Sequence, residues 1–101
     1  MAGCSFFVIR FTWDPTKATS NIQKHGISFE EAVSVFGDPL SETFDDPDHS
    51  DDEQRFIIVG RSRNGRLLFV SHADYGEIIR LISARPLTSA ETRAYEQGSD
   101  Q

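Results

Sequence analysis

Arg80 stands inside a run of branched and apolar residues, Ile78, Ile79, Leu81 and Ile82. A guanidinium does not lose its proton, so a cation in such a run must reach water or meet an anionic partner. Two chemistries satisfy it. One is a structural ion pair with one of the chain's many acids; the other is a cleft, floored by a sheet, whose charge is meant for a phosphate. A second polar group lies earlier. Lys17, Asn21 and Lys24 fall at i, i+4 and i+7, one stripe of a helix, and the stripe ends beside His25. A solvated face is the commoner meaning of such a stripe, and a cation is favoured at a helix C-terminus on its own account. His72 alternates with apolar residues and reads as a satisfied structural histidine, whereas His49 falls in an acidic segment and reads as exposed.

These side chains need elements to hold them. Residues 78–85 predict a strand, apolar on both faces and therefore central, stopped by Pro86. Residues 6–13 predict a first strand. Asp14 and Pro15 then supply an N-cap and a first helical position, and Gly26 ends a helix with Ala18 and Ile22 on its apolar side. Ser28 and Glu31 form a capping box, with Ile27 and Ala32 as its staple, for a second helix burying Phe29, Ala32, Val33 and Phe36. A short strand at 40–44 follows. Residues 55–62 and 67–73 predict two strands joined through Asn64-Gly65, a strong hairpin signal.

If Asn64 and Gly65 are the two loop residues, Arg61 faces Leu68, Val59 faces Val70 and Ile57 faces His72. A second hairpin through residues 74–77, of two or four residues, carries the same parity onward. Ile57, Val59, Leu68, Val70, His72, Ile79 and Leu81 then share the face assigned to the helices. Phe56, Ile58, Gly60, Phe69, Ser71, Arg80 and Ile82 share the other, where small Gly60 and Ser71 leave room for a ligand beside Arg80. Arg61 and Arg85 fall at the rim of the first face. Thr88 caps a last helix, with Glu91 at its capping-box position and Tyr95 near its end. The order predicts one α+β domain over residues 1–101, frayed at 1–5 and 97–101.

At 101 residues the chain supports a single core. Its one cysteine, Cys4, cannot form an internal disulfide, no apolar run approaches a membrane span, and the N-terminus lacks a signal-peptide pattern; a cytoplasmic protein is expected. A net charge of −6 argues against nucleic acid, but its distribution does not. Residues 38–53 hold eight acids and no Lys or Arg, so the remainder carries +2, enough for a basic patch. The acidic residues 45–54 lack the glycine and ligand spacing of a calcium loop, and no metal or other cofactor is expected there.

Three stretches together, FTWDPTKATSNIQKHGISFEEAVSVFGDPL, QRFIIVGRSRNGRLLFVSH and IIRLISARPLTSAETRAYE, resemble the BrnT family of type II toxins over nearly all of residues 11–96. The resemblance implies a RelE-like fold: an antiparallel sheet of about four to five strands, two N-terminal helices and a C-terminal helix. It implies a metal-independent ribonuclease that inhibits translation, neutralised in a hetero-oligomer by a BrnA-like antitoxin, with RNA as substrate and no membrane partner. Carried onto this chain, Arg80 would stabilise the phosphorane-like charge, and His25 would carry a proton, because imidazole ordinarily titrates near neutrality. Lys17, Lys24, Arg61 and Arg85 would hold phosphates. Two places depart from the family's pattern: the turn Ala73-Asp74-Tyr75-Gly76, and Pro86-Leu87 after Arg85, each removing positive charge near the proposed cleft. They keep a second function in view, a catalytically weak antitoxin-binding module within a transcription-repressing complex. A metal-dependent hydrolase using the acidic loop is a third.

Overall fold

Asp14 and Pro15 set the start of the first helix. In the computed structural model, which describes residues 9–46 and 54–98, α1 spans Pro15–His25. The Asp14 carboxylate accepts the Thr16 N–H at 2.9 Å, and Gly26, left-handed at φ 71°, donates its N–H to Ile22 O. The Ser28 hydroxyl opens α2 (Phe29–Val35) by accepting the Glu31 N–H at 3.1 Å. The strands are β1 (Arg10–Thr12), β2 (Glu42–Asp45), β3 (Arg55–Arg61), β4 (Leu67–Asp74) and β5 (Ile78–Pro86). A reciprocal capping box between Thr88 and Glu91 starts α3 (Ser89–Gly98). Residues 6–8 of the expected first strand, the chain ends at 1–5 and 99–101, His49 and most of the acidic loop lie outside the described residues.

The sheet order is β1-β5-β4-β3-β2, so β5 has a neighbour on each side, as its apolar pattern predicts. Three pairings are antiparallel, but β1 runs parallel to β5, with Phe11 opposite Ile79. The result is the expected α+β architecture with a mixed sheet.

Register is where the molecule differs from the reading above. Arg61 pairs with Leu67, Gly60 with Leu68, Ile58 with Val70 and Phe56 with His72, one residue away from the two-residue-loop register. The turn explains it. Gly65, at φ 84°, donates its N–H to Ser62 O, and Ser62 donates its own to Arg66 O, so Arg63, Asn64 and Gly65 form a three-residue loop. The shift exchanges the faces of β3: Ile58 and Gly60 look toward the helices, and Ile57 and Val59 look away.

Gly60 therefore leaves no room for a ligand. A Cβ there would lie 2.8 Å from Ser41 Cβ and 3.0 Å from Asp38 Oδ2. The missing side chain lets Asp38 reach the Arg61 N–H at 2.7 Å. The β4–β5 turn, by contrast, keeps the expected parity: Tyr75 donates to Ile78 O across Gly76-Glu77, with Gly76 at φ 88°.

One face of the sheet holds the core. Ile27, Phe29, Ala32 and Val35 pack on Ile58, Leu68, Val70, Ile79, Leu81 and Ala84, with Phe11, Trp13 and Phe36 around them. Each such side chain contributes ~1.5–3 kcal/mol on burial, against ~0–1 kcal/mol for an exposed ion pair. Apolar packing, not surface charge, seats α2 on the sheet. Val35 is buried while Val33 and Phe36 are only half-buried.

Two polar groups join this layer. Glu31 is 3% exposed; its carboxylate accepts from Ser62 Oγ at 2.7 Å and from Arg66, through Nε at 3.0 Å and through Nη2, tying α2 to the β3–β4 turn. The Arg66 hydrogen bond lowers the Glu31 pKa against the opposing effect of burial. His72 lies between Phe36, at 4.9 Å, and Phe56, at 6.1 Å, with burial pushing its pKa down. Its place is structural, but the expected satisfaction is incomplete: Nδ1 has no hydrogen-bond partner.

Candidate functional site

α1 meets β5 where β1 has already ended. β1 pairs only with residues 78–80, so Ala84 presents its backbone groups to the helix. Asn21 takes them: its Oδ1 accepts the Ala84 N–H at 3.0 Å, and its Nδ2 donates to Ala84 O at 2.8 Å and to Ile27 O at 2.9 Å. Asn21 is thus 5% exposed and Ile22 is 50% exposed, the reverse of what was expected of these two, while Ala18 packs on the core as expected. The stripe is solvated only at its ends, where Lys17 and Lys24 remain in water.

Those ends border a recess of ≈ 230 Å³. Lys17, Ser20, Asn21, Lys24 and His25 line it from α1, and Ile82 and Ser83 from β5. Helical spacing brings the α1 residues onto one side. The lining holds two ammonium groups, an imidazole and two hydroxyls, and no carboxylate. That set suits a phosphodiester: point charges for its oxygens, hydroxyl donors, and a group able to carry a proton.

β5 extends the cationic surface onto the sheet face away from α1 and α2. Ser71 pairs with Ser83 but His72 pairs with Leu81, so Ile82 is an extra residue, a β-bulge. The bulge keeps Arg80, Ser83 and Arg85 on one face. Arg80 lies between Thr12 and Ala73, and Arg55 lies beyond Ala73 in the same row.

Two of the expected phosphate-holding residues have other partners. Arg85 lies over the Phe69 ring at 4.1 Å and gives a two-pronged pair to Glu91, at 2.8 and 2.9 Å. The Arg85 hydrogen bond, helped by the Thr88 backbone, pulls the Glu91 pKa down to about 2. Arg85 is on the face opposite the one expected, because of the bulge. Arg61 donates through Nη1 to Gly65 O at 2.9 Å and belongs to the β3–β4 turn; it does not line the recess. The recess therefore gathers Lys17, Lys24 and His25, with Arg80 farther along β5.

Ser20 and Ser83 are the site residues that the sequence reading missed. Ser20 was legible as i+3 from Lys17, but Ser83 depends on a bulge that no turn residue announces. Among the described residues no three His, Cys, Asp or Glu side chains gather as a metal site would need.

The family described as the BrnT ribonuclease toxin of type II toxin–antitoxin systems matches residues 13–91. The fold is similar to the 1.1 Å crystal structure of the Brucella abortus ribonuclease toxin BrnT, with TM-score 0.62 and 23% identity, over 80% of this chain and 99% of that one. No curated protein matches the chain. The match over residues 13–91 includes α1, the meander and β5, all the elements that build the recess; the chain belongs to the BrnT family of ribonuclease toxins of type II toxin–antitoxin systems.

Proposed function

We propose that this chain is an active endoribonuclease that cuts RNA without a metal, that it inhibits translation, and that its cleavage site is the α1–β5 recess. The observation that carries the reading is the convergence of Lys17, Lys24 and His25 with Ser20 and Ser83 around one opening. Cleavage of this kind attacks the phosphorus with the ribose 2′-oxygen and expels the 5′-oxygen. The 2′-hydroxyl gives up a proton, the leaving oxygen gains one, and negative charge builds on the phosphoryl oxygens between. His25 carries a proton at one of those two oxygens. Lys17 and Lys24 hold the scissile and neighbouring phosphates, and Arg80 adds positive charge along β5. Arg85 contributes only if Glu91 lets it go.

A BrnA-like antitoxin silences the toxin in a hetero-oligomer in the cytoplasm, where its RNA substrate is found. No helix among the described residues is long and apolar enough to cross a membrane. One observation favours the second reading, a binding module with weak catalysis: Glu91 neutralises Arg85. Incubating the purified chain with RNA in EDTA separates the readings. The ribonuclease cuts at an undiminished rate, the binding module leaves RNA intact with or without chelator, and a metal-dependent hydrolase cuts only without it.

A further inference from the structure

α3 does not close down on the sheet. It is fastened at its start by Glu91 to Arg85, and near its end by the Tyr95 hydroxyl, which donates to Leu40 O at 2.9 Å. Between these two ties a groove of ≈ 220 Å³ stays open, floored by Val59 and Phe69 and walled by Phe44, Leu87 and Ala94. Because both ends of the helix are held, the gap is a feature of the fold. Phe44 is 49% exposed, on a strand that ends the sheet.

Size and charge say what fits. The volume falls below the ~300–1,000 Å³ of small-molecule sites and suits one bulky side chain, as at the anchor points of protein interfaces. Glu42 lines the groove, and with Asp38 it adds to the burial that raises the Tyr95 pKa, a rise that Arg61 nearby only partly offsets. Arg85, the cation stacked on the groove's Phe69, is already held by Glu91. No Lys or Arg lines the groove, so RNA is disfavoured and a cationic, apolar peptide is favoured.

We propose that this groove is the antitoxin's docking point: a segment of the antitoxin seats one bulky aliphatic or aromatic side chain on Phe44, Val59 and Phe69, and an adjacent Lys or Arg meets Glu42. The proposal rests on the type II toxin reading above. The groove opens on the same sheet face as Arg80, so a segment anchored here continues over the cationic surface. Silencing is then competition with RNA.

The test uses the full chain and a purified BrnA-like antitoxin. Ala94→Arg fills the groove, and Glu42→Lys reverses its charge. Both positions lie outside the recess, and melting temperatures check that each variant stays folded. The expected result is at least tenfold weaker antitoxin binding by either variant, with RNA cutting by the free toxin unchanged. Equal binding by parent and both variants overturns the groove and leaves the toxin reading intact. Loss of cutting with antitoxin binding retained overturns it by assigning the groove to RNA. Loss of self-association alone overturns it in favour of a second copy. A parent chain that binds no antitoxin removes the type II reading of this chain, and the proposal with it.

Discussion

At the scale of single residues, Arg80 is a cation inside an apolar run and Asn21 one member of a polar stripe, yet it is Asn21 that the fold encloses more fully. Asn21 is enclosed and uses both its donor and its acceptor. Losing it strands buried backbone groups at ~1–3 kcal/mol each. Asn21→Asp keeps the acceptor for the Ala84 N–H but no donor, so chemical denaturation should show it clearly less stable than the parent. Arg80 is half-buried on the face away from α1 and α2. Arg80→Ala should cut RNA about a hundredfold more slowly, the usual scale for removing one charge-stabilising group, and should relieve growth arrest while remaining folded. An unfolded variant would return Arg80 to its structural ion-pair reading. The double change Lys24→Gln/His25→Gln should likewise depress RNA cutting far more than it lowers the melting temperature. Equal losses would make the pair a helix-end support.

At the scale of elements, the seating of α2 on the sheet sets two expectations. Gly60→Ala places a Cβ against Ser41 and Asp38 and should cost about 1–3 kcal/mol, the range for overpacking, measured by urea denaturation. Protonation acts through His72, which packs against Phe36 beside α2. Its folded pKa lies below the ordinary 6.5 because of burial, so the unfolded chain binds the extra proton first. Stability is full above pH 6.5 and falls as the pH drops from there toward the folded pKa. Glu91 acts later, its share being lost from 4.5 downward to about 2. A parent-like acid limb between pH 6.5 and 5 in His72→Phe would remove the histidine from that account. The caps of all three helices were legible, because Asp14-Pro15, Ser28 and Thr88 act on their nearest neighbours. The face of β3 was not. Asn64-Gly65 suits a two-residue or a three-residue loop, and the choice between them flips every side chain from Arg55 to Arg61. The bulge at Ile82 was equally silent, since no glycine or other turn residue marks it. Asn21 hid for the opposite reason: its partner, Ala84, is distant in sequence.

At the scale of the whole molecule, a chain of net charge −6 that handles RNA must keep its cations in one place. Lys17, Lys24 and Arg80 are three such groups. Single-stranded RNA releases ~0.7 counterion for each phosphate neutralised, so the logarithm of RNA affinity should fall with log salt at a slope of about −2. A slope near zero would mean that these cations do not meet phosphates. Antitoxin association should show the converse pattern. If the acids of residues 38–53 steer a basic partner, neutralising Asp48, Asp51 and Asp52 to Asn should slow its on-rate at low salt and leave its off-rate nearly unchanged; an unchanged on-rate across a salt series would remove these acids from recognition.

The hydrogen bonds from Asn21 to Ala84 have one more consequence. Beyond residue 80, β5 has no strand on that side among the described residues, and a bare strand edge invites pairing with another copy of the chain. A single amide, holding both the N–H and the C=O of Ala84, stands in for the missing neighbour. Asn21 is in this sense a stopper against aggregation. The Asn21→Asp protein should form larger oligomers under mild destabilisation while Gly60→Ala, equally weakened, keeps the parent's oligomeric state.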